Sequence, residues 1–367
     1  MNVDPDALIR DEILRMSAYA VPSSAGMVKL DAMENPYALP ELLRQEIGRL
    51  VTASEINRYP DPSAPALKLR LREVMEIAEG YDILLGNGSD ELIQIMIQAC
   101  ARPGATIMAP APTFAMYRQY AVIAGLKYVG VPLAPDFSLD LDRFLAVMRE
   151  HNPAIIFISY PNNPTGNLFS PDAVARILAE APGLVVVDEA YQPFADGTFM
   201  TRLPDYQNLV MLRTVSKLGL AGIRLGYAVA RPEWVVEFNK VRSPYNVNVL
   251  TQLVAERVLA HNDVLQEQAA AIREERAKLA AELGGMAGVT PFPSQANFIL
   301  ARVPDARLVF EGLRQRGILI KSLHEMHPLL DQCVRITVGT PAENALLIAS
   351  LEAVLSVHGA AAADRVG

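Results

Sequence analysis

The sequence has little of the chemistry that builds disulfide frameworks or metal sites. Its 367 residues include two cysteines, Cys100 and Cys333, both in apolar surroundings, and five histidines without ligand-like spacing. Disulfide scaffolds and zinc sites need more cysteines, or cysteine and histidine at characteristic intervals. The composition therefore excludes a disulfide scaffold and predicts no metal site.

The sequence also lacks an excess of positive charge and a long apolar run. Its 33 lysines and arginines are outnumbered by 41 acids, for a net charge of −8, and no basic tract offsets this balance. A nucleic-acid partner is therefore not expected. No run approaches the ~20 apolar residues of a membrane span, and the N-terminus lacks the basic and apolar parts of a signal peptide. We expect a soluble cytoplasmic protein.

What the chain does have is apolar sequence in a regular arrangement. Hydrophobic residues make up 51% of the chain, which is enough for a large core. The length of 367 residues predicts two domains. From about Glu41 to Asn248, strand-like runs alternate with helical stretches. This alternation predicts an α/β fold with a mostly parallel sheet and helices on both faces. We divide the chain into an arm with part of a small domain (1–40), a large domain (41–250) and a small domain (251–367).

The ends of the chain carry different patterns. Residues 5–16 predict a short helix, followed by an irregular arm. Residues 251–283 predict a helical region that is too long for one ordinary helix, so we expect a break near His261. Residues 297–300, 318–320 and 334–338 predict strands of a smaller sheet. A final helix is expected from Pro341 to His358.

Lys217 is the first candidate for chemistry. It follows the apolar run Leu209–Leu212 and precedes a glycine-rich turn, so it lies where a strand gives way to a loop. A lysine that is desolvated there loses its proton and becomes an amine nucleophile toward an aldehyde. The structural alternative is a solvated surface lysine, the commoner state of this residue type.

Asp188 ends a second buried strand, 184–187, which is a continuous run of leucine and valine. Open α/β sheets bind ligands beyond the carboxyl ends of their strands. A carboxylate at that edge can pair with a protonated ring nitrogen, as the electron sink of pyridoxal phosphate requires. The alternative is a helix N-cap or a surface acid.

A third block, Gly86-Asn-Gly-Ser-Asp90, follows a strand and precedes an apolar helix. Glycines and exposed amides at a helix start suit a phosphate dianion, although the same pattern is found in ordinary capped turns. We expect Ser89 and Asp90 to supply N–H groups, with only the backbone of Asp90 involved. Ser216 and Arg224 would add a hydroxyl and a bidentate cation.

Together these blocks resemble the fold-type I pyridoxal-phosphate aminotransferases, from about residue 19 to residue 338. The Asn163-Pro-Thr-Gly166 turn, the Asp188-Glu-Ala-Tyr191 segment and the segment from Ser216 to Arg224 follow the family's order. Three shorter motifs resemble histidinol-phosphate aminotransferases in particular: Asn57-Arg-Tyr-Pro-Asp-Pro62, Gly86-Asn-Gly-Ser-Asp-Glu91 and Cys333-Val-Arg-Ile-Thr-Val-Gly-Thr340.

The resemblance implies a large domain with a seven-stranded type of sheet and a smaller α+β domain. It also implies pyridoxal 5′-phosphate as cofactor, with Lys217, Asp188 and Tyr191 as catalytic residues. The cofactor-binding residues would be Ser89, Asp90, Phe114, Asn163, Asp188, Tyr191, Ser216, Lys217, Arg224 and Tyr59. Phe114 would stack on the ring, and Asn163 and Tyr191 would bind its phenolic oxygen. Tyr59 resembles a tyrosine that reaches the phosphate from a second subunit, which implies a homodimer.

The implied reaction is transamination of L-histidinol phosphate with 2-oxoglutarate, giving imidazole acetol phosphate and glutamate in histidine biosynthesis. The substrate residues would be Tyr19, Asn163, Lys321 and Arg335. Arginine binds a phosphate or a carboxylate equally well, so Arg335 leaves two alternatives open. These are an aromatic-amino-acid aminotransferase and a phospho-amino-acid decarboxylase of the same fold.

A non-catalytic regulator that binds pyridoxal phosphate is disfavoured, because the arm before Tyr19 has no room for a DNA-binding module. The sequence departs from the family pattern at three positions. Arg224 follows Lys217 by seven residues where eight are expected. Phe114 stands where many relatives have tyrosine, and Lys321 where an arginine is frequent.

Overall fold

The computed structural model describes residues 4–18 and 22–363, with side chains described through residue 356. Its strands are β1 Val28–Lys29, β2 Asp82–Asn87, β3 Thr106–Ala111, β4 Lys127–Pro132, β5 Ile155–Ser159, β6 Leu184–Asp188, β7 Leu209–Thr214, β8 Leu225–Ala230, β9 Thr290–Pro291, β10 Phe298–Arg302, β11 Ile318–Leu319, β12 Lys321–Ser322 and β13 Cys333–Thr337. Its α-helices are α1 Asp11–Leu14, α2 Glu41–Ala53, α3 Pro65–Val74, α4 Ser89–Ala99, α5 Ala115–Ile123, α6 Leu141–His151, α7 Pro171–Glu180, α8 Pro232–Val241, α9 Val249–Leu259, α10 Asn262–Gly285, α11 Ala306–Gln315 and α12 Pro341–Ala363.

The large sheet has seven strands in the order β2-β8-β7-β6-β5-β3-β4. Only β8 runs antiparallel to its neighbours, so the predicted mostly parallel α/β sheet is confirmed. Every residue of β5, β6 and β7 is buried. Alternate residues of β6 face opposite cores: Val185 and Val187 pack on one side, Leu184 and Val186 on the other. A strand covered on both faces needs apolar residues throughout, which explains the continuous run in the sequence.

The smaller sheet has the order β12-β13-β10-β9 and packs with α10, α11 and α12 around a third core. The predicted break near His261 is confirmed, because α9 ends at Leu259 and α10 begins at Asn262. The proposed domain boundaries at residues 40 and 250 stay a prediction.

Two local predictions were wrong. Residues 5–16 do not form one helix but a 3₁₀ turn at Pro5–Ala7 and the single turn α1. Isolated short helices are marginal, and here the Arg10 guanidinium, which precedes α1, donates to the carbonyl of Ile123. Residues 318–320 do not join the smaller sheet. β11 pairs in parallel with β1 from the N-terminal part of the chain, and β12 takes the expected place beside β13.

The strand directions bring the candidate blocks to one edge. The segments that carry Asn163, Asp188 and Lys217 follow the carboxyl ends of the parallel neighbours β5, β6 and β7. The glycine-rich turn at residues 86–90, where a phosphate is expected (the phosphate-type turn), follows β2. Both β2 and β7 are antiparallel to β8, so they run in the same direction. Residues separated by more than a hundred positions thus lie at the same edge of the sheet.

Candidate active site

A cavity opens at this carboxyl edge of the large sheet. The space inside it, counted together with its open mouth, is about 530 Å³. Nine of the residues singled out in the sequence line it: Ser89, Asp90, Phe114, Asn163, Asp188, Tyr191, Ser216, Lys217 and Arg224. The fold therefore gathers most of the predicted site.

Lys217 lies in the tight turn after β7, and its amine lies inside the protein. Its Nζ donates to the carbonyl of Ala32 at 3.1 Å and stands 5.9 Å from the centroid of the Tyr191 ring. Burial, with a smaller contribution from the positive charge of Arg335, lowers the pKa of Lys217 to about 8. Roughly a tenth of such an amine is unprotonated at pH 7, which makes it a usable nucleophile and base.

Asp188 is the last residue of β6 and is buried. Its Oδ2 accepts a hydrogen bond from the hydroxyl of Tyr117 at 2.6 Å, and its Oδ1 accepts from the amide of Ala190 at 3.1 Å. Burial raises the pKa of Asp188 to about 6, while these two donors oppose the rise. The residue is thus an ionisable carboxyl group that faces a cavity, which distinguishes it from a surface acid.

Asn163, Tyr191 and Arg335 form a connected polar chain. Asn163 Nδ2 donates to the Tyr191 hydroxyl at 3.0 Å, and its Oδ1 accepts from Arg335 Nη1 at 2.7 Å. Arg335 Nη2 also donates to the carbonyl of Asp31 at 2.8 Å. Arg335 is 8% exposed, so it is not the surface arginine that its residue type favours. It adjoins the cavity through Asn163.

The phosphate-type turn has the geometry of an anion cradle. Gly88 occupies the N-cap position of α4 with φ +84°, so no side chain caps the first turn from that position. A Cβ atom at Gly88 would lie 2.5 Å from Arg224 Nη2. Glycine is therefore required for the guanidinium to approach the helix start. The amides of Ser89 and Asp90, the helix dipole and this cation converge on one place.

Ser216 and Asp90, the other two residues predicted for this cradle, both line the cavity but differ in their contacts. Ser216 is buried, and its Oγ accepts a hydrogen bond from the hydroxyl of Thr214 at 2.9 Å. The Asp90 carboxylate lies 3.5 Å from Arg224, which adds a side-chain contact to the backbone role expected for it. Burial raises the pKa of Asp90, and the Arg224 charge opposes this. The seven-residue spacing from Lys217 still brings Arg224 to the cavity.

The remaining candidates lie elsewhere. Tyr59 does not line the cavity of its own chain; its side chain is 80% exposed and stacks on Tyr245 at 4.5 Å between centroids. Lys321 lies opposite Arg335 in the β12–β13 ladder and outside the cavity lining. Tyr19 lies outside the described residues.

Several contributors were not singled out in the sequence, Tyr117, Ala32 and Met33 among them. Tyr117 holds Asp188, Ala32 accepts from Lys217 through its carbonyl, and Met33 lines the cavity. Tyr117 follows Phe114 by one helical turn, a spacing that places two residues on one side of α5. That spacing was an available signal. Ala32 and Met33 gave no signal in the sequence, because neither a backbone carbonyl nor a thioether belongs to a recognisable motif.

The described residues fit pyridoxal phosphate, the cofactor that the motifs imply. The group needs an amine for its aldehyde, an acid for its ring nitrogen and a cradle for its phosphate. Lys217, Asp188 and the Gly88–Arg224 cradle supply these within one cavity. Among the residues described, no cluster of His, Cys, Asp or Glu has the arrangement of a metal site, and no helix is long and apolar enough to cross a membrane.

Known proteins with similar sequences and structures agree with this geometry. The chain matches the family described as "Aminotransferase class I and II" over residues 25–351. It is 54% identical to histidinol-phosphate aminotransferase 1 of Ralstonia nicotianae, with 95% of this chain and 94% of that protein aligned. It is 54% identical to histidinol-phosphate aminotransferase 2 of Cupriavidus pinatubonensis, over 96% of this chain and 99% of that one.

A solved structure is similar over nearly the whole chain. The histidinol-phosphate aminotransferase of Sinorhizobium meliloti, in complex with pyridoxal-5′-phosphate, superposes with a TM-score of 0.86 at 25% identity. The match covers 96% of this chain and 98% of that one. The fold-type I architecture predicted from the motifs is thereby confirmed, as is the resemblance to histidinol-phosphate aminotransferases. The chain belongs to the class I and II aminotransferase family.

Proposed function

We propose that the protein catalyses transamination of L-histidinol phosphate with 2-oxoglutarate, giving imidazole acetol phosphate and glutamate in histidine biosynthesis. The observation that carries the chemistry is the Lys217 amine in one cavity with the buried Asp188 carboxylate. The choice of substrate is supported by relatives of that name at 54% identity over nearly the whole chain.

Pyridoxal phosphate, when bound, supplies an aldehyde that takes up the amino group and a cationic ring that withdraws electrons from the substrate Cα. We propose that Asp188 pairs with the ring nitrogen and that Phe114 covers one face of the ring. Asn163 and Tyr191 would bind the phenolic oxygen. Ser216, Arg224 and the amides of Ser89 and Asp90 would hold the phosphate.

Lys217 would have two roles. Its amine would hold the coenzyme in the resting enzyme, and once released it would carry a proton between the substrate Cα and the neighbouring coenzyme carbon. A pKa of about 8 suits both roles, because a base near the working pH exists in both protonation states. The Ala32 carbonyl, which accepts from Nζ at 3.1 Å, would orient the amine when it is not engaged.

Arg335 would bind the anionic end of both substrates. Its guanidinium is planar and permanently charged, so it can receive the phosphate of histidinol phosphate or a carboxylate of 2-oxoglutarate. The bond from Arg335 to Asn163 would connect the substrate anion to the group that binds the coenzyme oxygen. Tyr19 and Lys321 stay predicted as further contacts to the same phosphate.

We also propose that the enzyme is a homodimer with shared active sites. Large apolar residues are exposed on α2, on α3, on the segment between them and just before α9, which packs against both helices. Burial by a second copy would remove them from water. The exposed members of this group are Leu42, Ile56, Tyr59, Leu69 and Tyr245. Tyr59 would then reach the phosphate cradle of the partner. A cytoplasmic location also stays a prediction.

Steady-state kinetics with histidinol phosphate, phenylalanine and threonine phosphate would test the substrate. Each would be paired with 2-oxoglutarate, and release of carbon dioxide would be measured alongside glutamate. We expect the highest kcat/KM for histidinol phosphate, with no carbon dioxide. A far higher kcat/KM for phenylalanine would establish the aromatic aminotransferase instead, and carbon dioxide from threonine phosphate would establish the decarboxylase.

A further inference from the structure

Tyr117 is a buried polar group that contacts the proposed coenzyme site from behind. It lies in the first turn of α5, three residues after Phe114, and has no exposed surface. Its hydroxyl donates to Asp188 Oδ2 at 2.6 Å. A donor and a charged acceptor at this separation form a strong, charge-assisted hydrogen bond.

The ring of Tyr117 is held between two other aromatic rings. It stacks on Phe157 of β5 with centroids 4.6 Å apart and planes at 10°, and it meets Phe114 edge to face at 5.5 Å and 83°. Both arrangements are favourable for aromatic pairs. The Tyr117 side chain therefore contacts two residues that line the cavity, Phe114 and Asp188.

We propose that Tyr117 is a positioning residue that keeps Asp188 ionised and oriented, and fixes the plane of Phe114, so that both can face the coenzyme ring. This inference rests on the proposed function. Tyr117 itself does not line the cavity, so it acts through the other two residues.

The charges around Asp188 explain why such a residue is needed. Asp90 at the start of α4 and Glu189, next in sequence, both raise the pKa of Asp188 by repulsion, in addition to burial. The Tyr117 hydroxyl and the Ala190 amide lower it. The Tyr191 phenol is also nearby, but burial keeps its pKa far above neutral. Tyr117 is thus the one side-chain donor among the described residues that favours the carboxylate.

Tyr117 can act as a donor at every physiological pH. Burial raises its own pKa well above the usual value, and the Asp188 charge adds to the rise. The hydroxyl therefore keeps its proton while Asp188 titrates. Loss of the hydroxyl would leave a carboxylate with one donor instead of two, and its pKa would rise.

The test is Tyr117→Phe, which keeps the ring and removes the hydroxyl. The dissociation constant of pyridoxal phosphate would be measured by absorbance and protein fluorescence from pH 5 to pH 9. We expect coenzyme affinity to fall about tenfold at pH 7, the effect of one hydrogen bond to a charged group. As the pH is lowered, coenzyme affinity in the variant should begin to fall at a pH roughly one unit higher than in the parent. Titration of the coenzyme itself cancels in this comparison.

Two controls separate positioning from packing. Tyr227→Phe removes a buried hydroxyl that bonds Arg213 on the other side of the sheet; it should leave the pH dependence unchanged. In an Asp188→Asn background, Tyr117→Phe should change coenzyme affinity by less than about twofold, because the carboxylate through which Tyr117 acts is absent.

An unchanged dissociation constant and pH profile in Tyr117→Phe would overturn the inference, as would an equal loss in the Asp188→Asn background. Failure of the parent protein to bind the coenzyme would instead refute the proposed function. The two failures are therefore distinguishable.

Discussion

The two ends of the cavity are built differently. At the end with Asp188, Asn163 and Arg335, the polar groups are buried and hydrogen-bonded: Asn163 bonds Arg335, and Asp188 accepts from Tyr117. At the other end, the Arg224 side chain is 48% exposed and its contact with Asp90 is 3.5 Å long. One end is complete within a single chain, whereas the other is open to water.

This difference indicates how each end works. Buried, mutually bonded groups are positioned before any ligand arrives, so they can act on the reacting atoms. An exposed ion pair contributes only ~0–1 kcal/mol. In the proposed homodimer, a bound anion and the second subunit would exclude water and strengthen it. We therefore expect changes at the buried end to reduce kcat/KM whether or not they weaken coenzyme binding, and changes at the open end to act on retention of the coenzyme alone.

The strongest test of the buried end is Lys217→Ala. It should lower kcat by at least ~10⁴-fold, because it removes both the covalent anchor and the base. Single-turnover kinetics would measure this, with the thermal midpoint as a check that the fold is intact. Borohydride reduction followed by digestion should label position 217 in the parent only. A variant that keeps a tenth of the parent's rate would show that another amine carries the chemistry.

The next largest effect is expected at Arg335. Arg335→Lys keeps the charge but loses the planar fork, and kcat/KM for histidinol phosphate should fall roughly 100-fold. KM for both substrates should rise, because one cation would serve both. Arg316→Lys is the matched control, since Arg316 lies on the surface near the end of α11. A fall confined to one substrate would mean that the two anions bind at separate places.

At the open end, Tyr59→Phe should weaken coenzyme affinity about tenfold and leave kcat of the saturated enzyme nearly unchanged. Tyr245→Phe, in the residue that stacks on it, serves as the control. Mixed with Lys217→Ala subunits, Tyr59→Phe subunits should regain parent-like affinity at about a quarter of all sites, because each hybrid dimer has one intact site. Absence of this regain in proven hybrids would place Tyr59 outside the partner's site.

The smallest effect concerns pH. The Lys217 amine, with its pKa lowered from 10.5 to about 8, should bind coenzyme covalently about fivefold faster at pH 8 than at pH 7, and the rate should level off above pH 9. The same shift affects stability: between pH 8 and 10.5 the unfolded chain holds more protons on this lysine, so its contribution to the free energy of unfolding rises with pH. Stopped-flow absorbance would measure the rate, and a rise of about tenfold per pH unit that continues beyond pH 9 would show an unshifted amine.

Much of the fold could be predicted because its signals are local. Continuous apolar strands such as 184–187, each followed by a polar block, indicated the parallel sheet and its functional edge. The wrong predictions also have a physical reason, because they concern contacts between distant segments. Residues 318–320 were apolar enough for a strand, but a β11 partner from residues 28–29 could not be inferred from either segment alone.

The sequence by itself determined which chemical groups follow which strands, and hence the amine, the acid and the glycine-rich turn. Tertiary structure decided which of these groups touch. Arg335 meets Asn163 across 172 positions and Tyr117 meets Asp188 across 71. Such contacts have no periodicity in the chain, because they arise only when strands from distant segments align at one edge. The same packing removes water around Lys217 and Asp188, and loss of water is what shifts their pKa values.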